Sequence, residues 1–145
     1  MSIRPIPEGF HTVTPFLAVK GVQQLIEFLK AAFGATEIMR VNTADGHIMH
    51  AQIKIGDSIV MMGEAMGGCP VIIASCYLYV PDVDATYRAA IKAGGESMME
   101  PANQFWGDRM AAIKDPVGNQ WSIATHVEDI APDEVIRRAQ AHKHE

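Results

Sequence analysis

The chain has 145 residues, of which 48% are apolar and 20% charged, and its formal net charge is −5. That is enough chain for one packed domain, and an acidic total argues against a nucleic-acid partner, which needs a basic face. No apolar run reaches the length of a membrane span, MSIRPIPEGFH has no apolar signal core, and there are only two cysteines, Cys69 and Cys76; a cytoplasmic protein with reduced thiols is expected, and no membrane partner.

VTPFLAV predicts a first strand, with Val13, Leu17 and Val19 on one face and Thr14, Phe16 and Ala18 on the other. Val22, Leu25, Ile26, Leu29 and Phe33 recur at helical spacing, and Gly34 is placed to end that helix. Three strands follow, TEIMRV, GHIMHAQIKI and SIVMM, the last two joined by Gly56-Asp57. In GHIMHAQIKI, alternation sends Met49, Ala51, Ile53 and Ile55 to one face and His50, Gln52 and Lys54 to the other.

EAMGGCP reads as a linker, after which the pattern starts again. IIASCYLYV is a strand in which Cys76 is a small buried hydrophobe. Asp82 caps a helix to Lys92, and ESMME, DRMAAIK and QWSIATH match the three earlier strands. A last helix begins near Pro132, with Asp133 and Glu134 in its first turn. His142 and His144 fall in the tail beyond it.

The recurrence has a nearly constant offset. Leu17–Val19 and Leu78–Val80 are 61 apart, as are Gly34 and Gly95. Ile53-Lys54 and Ile113-Lys114 are 60 apart, and Gly56 and Gly118 are 62 apart. Four matches in order predict two copies of one strand–helix–three-strand unit. The expected fold is α+β, two βαβββ modules forming a curled mixed sheet around a cavity. The modules span 10–63 and 71–128 of a single domain, 10–128, with a helix and tail over 129–145. Apolar strand faces should meet the helices. The opposite faces carry hydroxyls, amides, imidazoles and aromatic rings with little Lys or Glu, which fits a cavity lining or a surface covered by a partner chain.

Paired units of this kind, with DP-x-GN-x-W from Asp115 to Trp121, resemble the vicinal-oxygen-chelate superfamily (glyoxalase, bleomycin resistance protein, dioxygenase) over roughly Phe10 to Glu128. IPEGFHTVTPFL, HAQIKIGDSIVMMGE and FWGDRMAAIKDPVGNQWSIATHVED are similar to bacterial glyoxalase-like proteins. The resemblance implies metal ligands, His, Glu or Gln, at positions that map here to Thr14, Met61, Ser75 and Ser122. Those four cannot make a divalent site, so no metal and no cofactor is expected. Asn119 stands where the narrower group often has His.

Two functions follow as expectations. The first is a metal-independent binding protein for a small organic molecule. Its ligand would be held by Thr14, Phe16, Gln52, Met61, Ser75, Tyr77, Trp106 and Ser122. The second is a glyoxalase-like lyase or isomerase with His50 as its base or with a displaced metal; His50 is otherwise a satisfied structural histidine. A module that only binds other proteins is a third possibility, which a lined cavity disfavours. Trp121 alternates onto the helix face and belongs to the core. Asp108 and Arg109 are read as an ion pair fixing their loop, the alternative being an anion contact. A homodimer is expected, because polar strand faces need a cover.

Overall fold

The computed structural model describes residues 2–142, so His144 lies outside the described residues. Chain order is β1 (Phe16–Val19), α1 (Val22–Phe33), β2 (Thr36–Asn42), β3 (Ile48–Ile55) and β4 (Ser58–Glu64). There follow β5 (Ser75–Tyr79), α2 (Val83–Lys92), β6 (Glu96–Asn103), β7 (Asp108–Lys114), β8 (Gln120–His126) and α3 (Pro132–Ala141). Two four-stranded sheets form, ordered β1-β4-β3-β2 and β5-β8-β7-β6. In each, the first strand runs parallel to the last and the remaining pairs are antiparallel. Phe16 pairs with Met61 in one sheet and Tyr77 with Ser122 in the other, so the registers repeat with the offset seen in the sequence.

Helices α1 and α2 each lie on the sheet of their own module and meet each other. A single cluster of buried side chains runs from Leu17, Leu25 and Met62 of the first module to Val83, Ile113 and Trp121 of the second. Phe33 at the end of α1 rests against Trp121 of β8, ring centroids 5.3 Å apart. The modules are thus joined through their apolar faces. The sheets do not close on each other, and the opposite faces, called the open faces below, point away from this core. Phe28 and Ala32, outside the expected apolar stripe, are also buried, because α1 is covered on two sides.

The caps are local chemistry. The N–H of Gly34, at φ 66°, returns to Lys30 O (3.1 Å) and ends α1. Asp82 accepts the N–H of Ala85 (3.2 Å) at the start of α2. Glu64, at the end of β4, accepts the N–H groups of Gly21 and Val22 (2.7–3.2 Å) and so caps α1 with a carboxylate. α3 buries no side chain; Arg138 ties it back by donating to Phe105 O and Glu128 (both 3.3 Å).

Three expectations need correction. β1 begins at Phe16, so Val13 is not on the helix side but 81% exposed. Pro15 has no N–H to donate; its carbonyl accepts from Met61 N (2.9 Å), and the ladder starts there. Met49 is exposed and Ile48 buried, the reverse of strict alternation, because the β2–β3 register slips between Val41 and Asn42 and leaves Met49 as the extra residue. Cys76 is half-buried rather than buried, and burial pushes its thiol above the ordinary range. No helix among the described residues is long and apolar enough to cross a membrane.

Candidate functional site

The open face of the first module is built on β3 and β4. With Ala51, Ile53 and Ile55 buried against the helix side, His50 and Gln52 turn to the open side. The Gln52 amide nitrogen lies 3.2 Å from His50 Nε2. The two side chains therefore form a hydrogen-bonded pair on the open face. Phe16 stacks near that imidazole, centroids 6.1 Å apart and planes at 30°. Met61 is the cross-strand partner of both Phe16 and Gln52 and sits at the centre of the face. Gly63 permits this layout: a Cβ there would collide with the carbonyl oxygen of Met49 and sit 3.4 Å from the Phe16 ring.

The N-terminal segment lies over this face. An open groove of about 410 Å³ runs between Pro5, Ile6, Phe10, His11 and Thr12 on one side and Thr14, Gln52 and Met61 on the other. Thr14 is half-buried and its hydroxyl donates to His11 O (3.4 Å). A cavity of about 430 Å³ lies where the β3–β4 turn meets β5, lined by Phe33, Asp57, Ser58 and Pro81 among others. It holds none of the first module's candidates, and among the second module's it touches only Tyr77.

The open face of the second module is organised around one carboxylate. Asp108 is 2% exposed. Its Oδ2 accepts from the hydroxyls of Tyr77 (2.7 Å) and Tyr79 (2.9 Å) and from the indole of Trp106 (3.1 Å). Its Oδ1 meets His126 Nδ1 (3.0 Å), and His126 Nε2 reaches Asp129 (2.7 Å). Burial pushes the Asp108 carboxyl up, but the bonds from His126, Tyr77, Tyr79 and Trp106 outweigh it and hold the group below its ordinary range. Burial and the Asp108 bond push the Tyr77 phenol up to about 12. The Asp108 and Asp129 bonds raise the His126 imidazole above its ordinary value.

This corrects the expected Asp108–Arg109 pair. Neighbours on a strand face opposite ways. Asp108 therefore joins the open face, while Arg109 turns to α2 and pairs with Asp84 (2.8 and 3.0 Å). The expected site residues fall into two groups. Thr14, Phe16, His50, Gln52 and Met61 share the first module, and Tyr77, Trp106 and Ser122 the second, with Ser75 exposed at the start of β5. No described hydrogen bond or ring contact links the groups. Tyr79, Asp108 and His126 are not among the expected ligand-binding residues, Asp108 being expected in an ion pair or an anion contact. Alternation alone places all three on the face of Tyr77; that they meet follows from the β7–β8 register, in which Asp108 faces His126.

The chain matches the family model for the glyoxalase/bleomycin resistance protein/dioxygenase superfamily over residues 9–123. The chain belongs to that superfamily. An uncharacterised protein of Mycobacterium bovis is 33% identical to this superfamily member, over 85% of this chain and 88% of the relative. An uncharacterised protein of Mycobacterium tuberculosis is also 33% identical, over 85% and 79%. Among solved structures, TioX from Micromonospora sp. ML1 superposes with a TM-score of 0.69 at 24% identity, covering 81% of this chain and 99% of TioX. A glyoxalase/bleomycin resistance/dioxygenase superfamily member from Sphaerobacter thermophilus gives 0.65 at 17%, covering 79% and 96%. These last two likenesses are of fold.

Metal chemistry is implied by the superfamily, and the donor set does not fit it. The equivalent register positions Met61 and Ser122 bear a thioether and a hydroxyl, and Thr14 and Ser75 bear hydroxyls. None is a carboxylate or imidazole, so nothing offsets the lost hydration of a divalent ion. Among the described residues, no group of three His, Cys, Asp or Glu side chains is arranged to hold a metal.

Proposed function

We propose that this superfamily member binds a small organic molecule, without a metal, on the open face of its first module. The observation that carries the reading is the open groove of about 410 Å³ between the N-terminal segment and Gln52 and Met61. Its size lies in the range of small-ligand sites, and it combines apolar walls with a few polar groups. A thermal-shift screen of neutral and charged organic compounds tests this. The expected result is a stabilising compound whose effect falls by half or more in Gln52→Ala and Met61→Lys, about what losing one polar or apolar contact costs. Stabilising compounds that ignore both substitutions would place binding elsewhere.

The lyase or isomerase reading is less well supported. His50 Nε2, a ring nitrogen that a general base would use, is already paired with the Gln52 amide. Phe16 and the imidazole then serve as one wall of a binding surface.

We also propose a homodimer. Phe16, Ile72, Ile73, Tyr77 and Tyr79 leave large apolar surface exposed in a single chain. Pairing the first module of one copy with the second module of its partner would make the two open faces opposite walls of one cleft. Light scattering at micromolar concentration is expected to give twice the chain mass of 15.8 kDa. A mass of one chain would rule the pairing out.

A further inference from the structure

The Asp108 cluster combines a buried carboxylate with three aromatic side chains. The polar ends of Tyr77, Tyr79 and Trp106 all turn inward to Asp108 Oδ2. What they present outward is ring surface. Tyr77 is 45% exposed and Tyr79 63%, their centroids 5.3 Å apart and their planes tilted by 56°. Phe105 stands edge-on to Trp106 at 5.0 Å and extends the aromatic area. A phenol that donates to a carboxylate gains electron density in its ring, which strengthens the attraction of the ring face for a cation.

Among the described residues, no Lys or Arg side chain pairs with Asp108. Arg109 is turned to Asp84 and Asn103 on the other side of the sheet. Arg138 is held by Glu128, Glu134 and the Phe105 carbonyl. Lys114 shares the face but lies six residues along β7, roughly 20 Å away at strand rise. His126 is already engaged at both nitrogens by carboxylates. Among the described residues, the carboxylate roofed by these rings thus has His126 as its one basic partner and no Lys or Arg.

We propose that Tyr77, Tyr79 and Trp106, laid over the buried Asp108 carboxylate, form a binding site for an organic ammonium group, a quaternary or alkylated amine. The proposal rests on the reading that the open faces bind small organic molecules, and it adds the charge of the ligand and the place where that charge sits. The Tyr77 phenol, pushed up to about 12, stays neutral and goes on donating its hydrogen bond to Asp108 across the working pH range.

The test compares choline with its uncharged isostere 3,3-dimethylbutan-1-ol by calorimetry at low salt on the full chain. Choline is expected to bind at least about five-fold more tightly, the worth of one cation–ring contact. Tyr79→Leu removes an exposed ring and is expected to weaken choline about five-fold, whereas Tyr79→Phe keeps the ring and most of the binding. Equal binding of the two probes, no binding of choline, or full binding by Tyr79→Leu each overturns the proposal. Stabilising compounds that respond to Gln52→Ala, found without any choline response, would remove this site and leave the first-module reading standing.

Discussion

Replacing Trp121 by Ala is expected to cost about 4 kcal/mol of folding stability, within the usual range for deleting a large buried aromatic. Trp121 is 1% exposed and packs on Phe33, at the seam between the modules. Its indole N–H also donates to Asp115 Oδ2 (2.8 Å). Asp115 is itself buried, and its other oxygen accepts from Val117 N (3.0 Å) and Asn119 N (2.9 Å), which holds the turn before β8. Trp121→Phe should therefore separate two effects. It keeps most of the apolar volume and leaves Asp115 Oδ2 without its donor, for a loss of about 1–3 kcal/mol. Urea unfolding midpoints, with the slope unchanged, would measure both. A loss below about 1.5 kcal/mol for Trp121→Ala would mean that the indole does not join the modules.

Removing the carboxylate at Asp108 is expected to cost about 2–3 kcal/mol. Charge-assisted bonds of this kind contribute the most when both partners are dry. Here Tyr79 and His126 are exposed enough to be rehydrated, so the total is set below a sum over four bonds. Asp108→Asn should cost less, because one carbonyl oxygen still accepts from the phenols. The pH dependence follows from the two directions of shift. His126 titrates above its ordinary value of 6.5 in the folded chain, so its contribution is complete below that value and is lost as pH rises through the raised one. Asp108 titrates below its ordinary value of 3.8, so its contribution is present above that value and is lost as pH falls. Melting temperatures of the parent chain should drop as pH rises from 6.5 through the raised value, and the drop should flatten in His126→Gln. Parallel curves for the two proteins would show that the Asp108–His126–Asp129 chain carries no linked proton.

Much of this molecule is legible in its sequence for a simple reason. Periodicity records which face of an element is buried, and burial is what the elements share. The period of the α1 residues, the alternation in β3 and the offset of 60–62 between matching residues arise from a fold made twice, and the structure returns the same offset in Phe16–Met61 and Tyr77–Ser122. Capping at Asp82 and termination at Gly34 are likewise contained in a few adjacent residues. The His50–Gln52 pair is also local, since residues two apart on a strand share a face.

Other features depend on residues far apart in the chain. Phe28 and Ala32 are buried only because a second helix arrives from the other module. Met49 breaks alternation only because β2 pairs with β3 one residue out of step. Asp108 and Arg109 look like a natural pair when written side by side, and the strand pleat separates them. Asp108 finds Tyr77, 31 residues earlier, and His126, 18 residues later. Sequence alone determined the two modules and most of their buried faces. Only the tertiary structure decided that the two groups of candidate residues lie on separate open faces, because the modules meet through their helices. It also decided that the second of those faces gathers around one buried carboxylate, because the β7–β8 register and the parallel β5–β8 pairing bring distant polar groups into reach of it.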